Sequence, residues 1–173
     1  DNPIRRAGAH LASARTAREV MTDLAARLAL AGRLDVVDGG NNFDAYRIAR
    51  LIRRQTPELT AALQRIRLAR VFTCYQMAAL LANAPPTTHP KLVLDFLCNF
   101  YDDSVAVPES SRLLQESLRR ISHLSRLAPM VISARPPKEE QPERQPLFDR
   151  LREASTNILI FGQPPIQQPL RLF

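Results

Sequence analysis

The apolar positions of this chain fall into short continuous runs that alternate with longer stretches of helical spacing. Residues 17–31 (AREVMTDLAARLALA) repeat apolar side chains every three or four positions and stop at Gly32, which is typical of a helix. Residues 34–38 (LDVVD) form a short apolar run, which is typical of a buried strand. The same alternation along the chain predicts strands at 9–12, 34–38, 67–73, 91–97, 130–134 and 157–161.

The segments between these strands carry the pattern of amphipathic helices, at 43–54, 58–66, 74–84, 110–127 and 146–155. Apolar strands that are joined by helices favour a parallel sheet covered on both faces. The predicted fold class is therefore a three-layer α/β/α domain with a mostly parallel central sheet, and it spans residues 1–173 as one domain. Residues 135–146 (RPPKEEQPERQP) are predicted to be a mobile loop, and residues 162–173 a proline-rich tail.

The charge of the chain is strongly positive and comes almost entirely from arginine. The formal net charge is +7, and Lys91 and Lys138 are the only lysines among the 24 basic residues. Arginine suits two-pronged contacts with phosphate, and a basic domain is a candidate for nucleic-acid binding. The alternative is a general preference for arginine codons, because the basic residues are scattered over many segments.

Two further features bear on the location of the protein. No apolar run approaches the length of a membrane span, and no signal peptide is evident, so no membrane partner is expected. Cys74 and Cys98 both lie within apolar patterns and are predicted to be buried, reduced thiols. A cytoplasmic location is the expectation from these features.

Polar residues at the ends of the predicted strands are the candidates for chemistry, because ligands of parallel sheets bind at the carboxyl ends of the strands. The first predicted strand runs through Ser13-Ala14-Arg15-Thr16 into a helix, where a phosphate-binding loop would read G-x-x-x-x-G-K-[ST]. The glycines and the lysine are absent here. Arg15 could still attract an anion with help from the helix dipole, or this stretch is an ordinary turn. Asp95 ends the run LVLD, as a magnesium-positioning acid or a turn carboxylate would.

Four segments in order resemble the RecA-like recombinases of the P-loop ATPase superfamily. VVDGGNNFDAYRIARLIRR is similar to their second strand, turn and helix, and ARVFTCYQMAALL to the strand and helix that follow. KLVLDFL resembles their Walker B strand, and MVISARPP the next strand with its polar tip. The resemblance covers residues 9–161. It implies a nucleotide site at Ser13, Arg15, Thr16, Asp38 and Asp95, with ATP as cofactor and Mg²⁺ held by Thr16 and Asp95.

The departures from the family pattern concern catalysis. The Walker A loop is missing, and the turn after the second strand reads Asp38-Gly39-Gly40, without the glutamate that would activate water. Asp38 has a shorter side chain with which to replace that glutamate. The resemblance therefore implies a domain that acts in DNA recombination or repair without hydrolysing ATP, by binding single-stranded DNA or a recombinase. Two alternatives stay open: an active DNA-dependent ATPase whose phosphate loop is missing from this sequence, and an α/β domain for protein contacts.

The family pattern also suggests where DNA would bind. Two mobile loops follow the fourth and fifth strands, and they correspond here to residues 98–109 and 135–146. Phe100 and Tyr101 in the first loop either stack on bases or belong to the core. A further basic surface is expected on the helix at 43–54. The predicted DNA contacts are Arg53, Arg54, Arg135, Lys138 and Arg144.

Overall fold

The structure is a computed structural model, and it describes residues 16–161. Six α-helices and four strands make up this part of the chain. In chain order they are α1 (Ala17–Ala31), β1 (Leu34–Asp38), α2 (Ala45–Arg53), α3 (Leu59–Gln64), β2 (Ile66–Arg70), α4 (Cys74–Ala82), β3 (Lys91–Leu94), α5 (Val107–Ser125), β4 (Met130–Ile132) and α6 (Gln145–Ala154). Short 3-10 helices at Cys98–Tyr101 and Pro142–Arg144 precede α5 and α6. None of the described helices is long and apolar enough to cross a membrane.

The four described strands form one parallel sheet in the order β2-β1-β3-β4. Val36 at the centre of β1 lies opposite Leu68 of β2 and Leu92 of β3, and Leu92 lies opposite Val131 of β4. The chain therefore goes from β1 to one side and then crosses back over β1 to reach β3. This arrangement confirms the predicted α/β class with a parallel central sheet.

Helices cover both faces of the sheet and bury a separate core on each face. On one face, α1, α2 and α3 pack on alternate strand residues such as Leu34, Val36 and Leu92. On the other face, α4, α5 and α6 pack around Val93 and the buried rings of Phe96 and Phe100. Because successive residues of a strand point to opposite faces, each central strand contributes to both cores.

Local sequence signals account for the ends of several helices. Thr16 caps α1, since its hydroxyl accepts a hydrogen bond from the Glu19 amide while the Glu19 carboxylate accepts one from the Thr16 amide. Gly32 ends α1, as the sequence predicts. Helix α5 begins earlier than predicted, at Val107, because proline in the first turn of a helix gives up no hydrogen bond.

The strand predictions differ from the structure mainly at the carboxyl ends. β1 matches its predicted bounds, whereas the predicted strand 91–97 ends at Leu94, because Asp95 adopts a left-handed backbone conformation with φ of 48°. The predicted strands 67–73 and 130–134 also end early, at Arg70 and Ile132. The predicted strand 9–12 lies outside the described residues, as does the tail 162–173.

The prediction of a sixth strand at 157–161 is wrong for this structure. These residues have no regular secondary structure, and Ile158, Leu159, Ile160 and Phe161 are 48%, 81%, 83% and 42% exposed. An apolar β-branched run has a high strand propensity, but it becomes a strand only where a neighbouring strand offers hydrogen bonds.

Candidate functional site at the carboxyl ends of β1 and β3

A ligand-binding site is expected between the carboxyl ends of β1 and β3, because the chain leaves these two neighbouring strands toward opposite faces of the sheet. After β1 it turns to α2, which packs on one face, and after β3 it turns through the 3-10 helix Cys98–Tyr101 to α5 on the other. Such a reversal of strand order is where open α/β sheets bind ligands. The predicted site residues Asp38 and Asp95 lie at this point, since Asp38 pairs with Leu94 and Asp95 follows it.

The carboxylate of Asp38 anchors the turn that follows β1. The residue is fully buried, and its two oxygens accept hydrogen bonds from the backbone amides of Asn42 and Phe43, each at 2.9 Å. Arg70 approaches one of these oxygens, with 3.7 Å between Nε and Oδ2. Both oxygens are thus engaged by the protein itself, which leaves Asp38 unsuited to the role of general base that the family resemblance implies for this turn.

Asp95 is held by three side chains from neighbouring elements. Its amide donates to the Ser133 hydroxyl at 3.0 Å, which joins the ends of β3 and β4. Its Oδ2 accepts hydrogen bonds from the Asn42 side-chain amide and from Nη2 of Arg135, the latter at 3.2 Å. The Asp95 side chain is 15% exposed and that of Arg135 is 71% exposed. Asp95 therefore already carries a positively charged partner.

The turn glycines allow the backbone after β1 to approach Asp95 closely. A Cβ atom on Gly40 would lie 2.5 Å from Asp95 Oδ2 and 2.7 Å from Asp95 Cβ. A Cβ on Gly39 would lie 3.0 Å from the Asp95 carbonyl oxygen. The glycines thus serve close packing of the turn against Asp95.

Asn42, Ser133 and Asn99 complete the site; the sequence places them at the functional edge of the sheet but assigns them no specific role. The Asn99 side-chain amide donates to the carbonyl oxygens of Gly39 at 3.0 Å and Val71 at 3.3 Å, so it links the ends of β1 and β2. Asn42 and Asn99 follow predicted strands and Ser133 lies near the end of one, which is the signal that places them at this edge. Sequence spacing does not show which partners their amides and hydroxyls meet across the sheet.

The arrangement does not fit a magnesium site as the family resemblance implies it. The Thr16 hydroxyl is engaged in the helix cap with Glu19, and no hydrogen bond joins it to Asp95 in the described part of the chain. Asp95 Oδ2 is engaged by Asn42 and Arg135, donors that compete with a cation. Residues 16–161 hold no cluster of three or more metal-ligating acids, histidines and cysteines. Ser13 and Arg15 lie outside the described residues.

The two loops predicted to bind DNA contact each other through Arg144. This residue is 3% exposed, and its Nη1 donates to the Phe100 carbonyl at 3.1 Å and the Ser110 hydroxyl at 3.0 Å. Its Nη2 donates to the carbonyl oxygens of Asp102 at 2.9 Å and Val105 at 2.6 Å. Arg144 therefore holds the first loop in place, and its buried guanidinium does not reach a DNA phosphate.

Further contacts between these loops order both of them. The Tyr101 hydroxyl donates to the Arg135 carbonyl at 2.9 Å, and burial raises the pKa of Tyr101 above its ordinary value. Gln141 donates to the Tyr101 carbonyl and to the Asp103 carboxylate. Phe100 is fully buried against Phe96, with 5.3 Å between ring centroids, so it belongs to the core rather than to a base-stacking surface.

The remaining predicted DNA contacts are exposed but lie at two ends of the sheet. Arg53 and Arg54 end α2, which starts at the carboxyl end of β1 and runs back over the sheet. Arg135 and Lys138 follow the carboxyl end of β4. The structure therefore does not bring these two pairs together into one basic patch.

One cysteine prediction is correct and the other is wrong. Cys74 is fully buried at the start of α4, and burial raises the pKa of its thiol. Cys98 is exposed, because the chain turns at Asp95 and does not continue as a strand. Partial desolvation and the nearby Asp95 carboxylate raise the pKa of Cys98, and Arg135 lowers it.

No protein-family model matches this chain, and no curated protein sequence matches it.

Proposed function

We propose that this chain is a RecA-like domain that acts in DNA recombination or repair by binding single-stranded DNA or a recombinase, without hydrolysing ATP. The observation that carries the proposal is that protein groups engage the two acids at the ends of β1 and β3. The carboxylate of Asp38 is taken up by two backbone amides, and that of Asp95 by Asn42 and Arg135. Phosphoryl transfer needs a free base and a cation-binding acid at this place, and both groups are engaged.

The order of elements supports the same proposal. Four strands and the helices between them follow one another as the resemblance implies, and the two acids meet at the reversal of strand order.

Arg53 and Arg54 are the proposed contacts with DNA phosphate. Both side chains are exposed, and neither has a hydrogen-bond or ion-pair partner among residues 16–161. By contrast, Arg47 on the same helix pairs with Glu19 at 3.4 Å and Asp23 at 3.8 Å. The end of α2 therefore carries two arginines that are available to phosphates.

The test is the affinity for fluorescent single-stranded DNA over a series of salt concentrations. Parent protein should bind with an affinity that falls linearly with salt on logarithmic axes, because phosphate contacts release counterions. Replacing Arg53 and Arg54 by alanine should reduce the slope by about 1.4 if each arginine contacts one phosphate. The matched control replaces Arg150 and Arg152, which are exposed on α6 on the other face. No binding by the parent at low salt would reject the DNA proposal.

The position of Asp95 favours a second candidate function, that of an active DNA-dependent ATPase. Asp95 lies at the reversal point of the sheet, where an acid would position Mg²⁺. This function requires a phosphate loop in a longer form of the protein and displacement of Arg135. An ATPase rate that disappears in Asp95→Asn would support it.

A further inference from the structure

The most exposed large apolar side chain of the described residues is a tyrosine on helix α2. Tyr46 is 90% exposed, more than any other such side chain among residues 16–161. The ring therefore adds little to the packing of the core. A single exposed ring is common on protein surfaces, so its neighbours decide whether it belongs to a binding surface.

Two arginines lie on the same face of α2 as Tyr46. Residues four and seven positions apart share one face of an α-helix, and the exposed Arg50 and Arg53 follow Tyr46 at these spacings. At the rise of an α-helix, the three residues are spread over about 10 Å along its axis. Ile48 and Ile52 are buried against the sheet on the opposite side of the helix. The face formed by Tyr46, Arg50 and Arg53, called the outer face of α2 below, therefore points to solvent.

The outer face of α2 carries positive charge without acidic partners. Residues 45–57 contain four arginines and no aspartate or glutamate. Arg47, which lies to one side of this face, forms ion pairs with acids of α1. The side chains of Arg50 and Arg53 form neither an ion pair nor a hydrogen bond with any residue in the range 16–161. Their charge is therefore available to an anionic partner.

An exposed ring beside free guanidinium groups matches the chemistry of a single nucleic-acid strand. Arginines bind its phosphates, and an aromatic ring stacks on a base of any kind, because every base has a π-face. In a duplex the faces of the bases are covered by the neighbouring base pairs, so the ring would find no base to stack on. An acidic peptide would pair with the arginines but would leave the tyrosine without a base.

We propose that Tyr46 stacks on a base of single-stranded DNA while Arg50 and Arg53 contact the phosphates beside that base. This inference rests on the proposed function, to which it adds a base contact, a further arginine and a reason for preferring single strands to duplexes. Base stacking tolerates any sequence, so the selectivity is for the type of strand rather than for its sequence.

The test compares Tyr46→Ala and Tyr46→Phe in their affinity for a fluorescent oligothymidylate. Loss of the ring should weaken binding about 5- to 150-fold, the range for one lost base stack, whereas phenylalanine should keep the parent affinity within about twofold. The slope of affinity against salt concentration should not change in Tyr46→Ala, because the ring contacts no phosphate. Arg50→Ala should instead reduce that slope by about 0.7 on logarithmic axes.

The controls separate base stacking from other effects of the substitution. Tyr75→Ala removes an exposed tyrosine from α4, on the other face of the sheet, and should bind as the parent does. An abasic strand of the same length should bind the parent and Tyr46→Ala equally, because it offers phosphates without bases, and so should a duplex. The midpoint of urea unfolding should be unchanged in Tyr46→Ala, because the ring is exposed.

The outcomes distinguish failure of this inference from failure of the proposed function. If the parent and Tyr46→Ala bind oligothymidylate equally well, the protein binds DNA but no base stacks on Tyr46, and the inference is overturned. An equal loss of affinity for the abasic strand would overturn it as well, since the ring would then act on the phosphate contacts. If the parent binds none of these strands at low salt, the proposed DNA function fails, and this inference fails with it.

Discussion

Nη2 of Arg135 lies 3.2 Å from Oδ2 of Asp95, and this ion pair joins the carboxyl ends of β4 and β3. The arginine is mostly exposed, while the acid is largely covered by the turn after β1. An exposed ion pair contributes little to stability, on the order of 0–1 kcal/mol. Its importance lies in the charge of the crevice, because Arg135 neutralises the acid that would otherwise attract a cation.

The thiol of Cys98 reports on this ion pair. Asp95 raises the pKa of Cys98 and Arg135 lowers it, so the two residues have opposite effects on the thiolate fraction. Alkylation by iodoacetamide at mildly alkaline pH should be faster in Asp95→Asn and slower in Arg135→Ala than in the parent. Mass spectrometry should find the label on Cys98 and not on the buried Cys74. Rates that change in the same direction in both variants would contradict the assigned ion pair.

Gly40→Ala should destabilise the protein by about 1–3 kcal/mol, because the added methyl group meets Asp95 and the Asn42 amide at 2.5–2.7 Å. Gly32→Ala is the matched control, since nothing lies within 4 Å of a Cβ there. The control should change the free energy of unfolding by less than about 0.5 kcal/mol. Urea denaturation measures both. Similar values for the two variants would show that the turn does not pack against Asp95 as described.

Arg144→Ala should lower the free energy of unfolding by at least about 3 kcal/mol, because it leaves a buried hydroxyl and three carbonyl oxygens without their charged donor. Arg150→Ala on the exposed side of α6 should have an effect within about 0.5 kcal/mol. Chemical denaturation compares the two variants. A small loss in Arg144→Ala would mean that the loops 98–109 and 135–146 do not depend on this residue.

Glu19 gives the stability of the protein a predictable pH dependence. The Thr16 amide, followed by Arg47, lowers the pKa of Glu19 below its ordinary value of 4.5. A lowered folded-state pKa stabilises the protein above the ordinary value and loses that contribution as the pH falls through the folded-state value. Glu19→Gln should therefore be less stable than the parent near neutral pH, and the difference should close on acidification. Glu139→Gln, at an exposed position, serves as control; a Glu19→Gln difference that persists in acid would contradict the assignment.

Where the apolar pattern is uninterrupted, the sequence predicts the fold closely. Helix α1 and strand β1 have the predicted bounds, because capping residues and a change of periodicity mark their ends. The apolar run KLVLDFL predicts a strand through residue 97, but the strand ends at Leu94. Phe96 and Leu97 are buried because the turn that follows packs into the core. Burial makes both kinds of segment apolar, so hydrophobicity alone does not separate them.

The positions of the two acids in the candidate site could be predicted from the sequence, but the groups that bind them could not. Strand ends placed Asp38 and Asp95 at one edge, and the structure confirms that position. Their partners depend on the order of strands in space, since Asn42, Arg135 and Asp95 are far apart in sequence. Arg144 is a second case in which the sequence does not reveal the contacts of a residue. The proline-rich, charged segment 135–146 predicts an exposed loop, but Arg144 within it is buried.

The most direct test of the proposal that this domain does not use ATP is a titration of the full chain with a fluorescent ATP analogue, with and without Mg²⁺, in the presence of single-stranded DNA. We predict no saturable binding that depends on Mg²⁺, because Asp38 and Asp95 are already engaged by protein groups. Binding in the range of about 1–10 μM that requires Mg²⁺ and disappears in Asp95→Asn would contradict the account and favour an active ATPase.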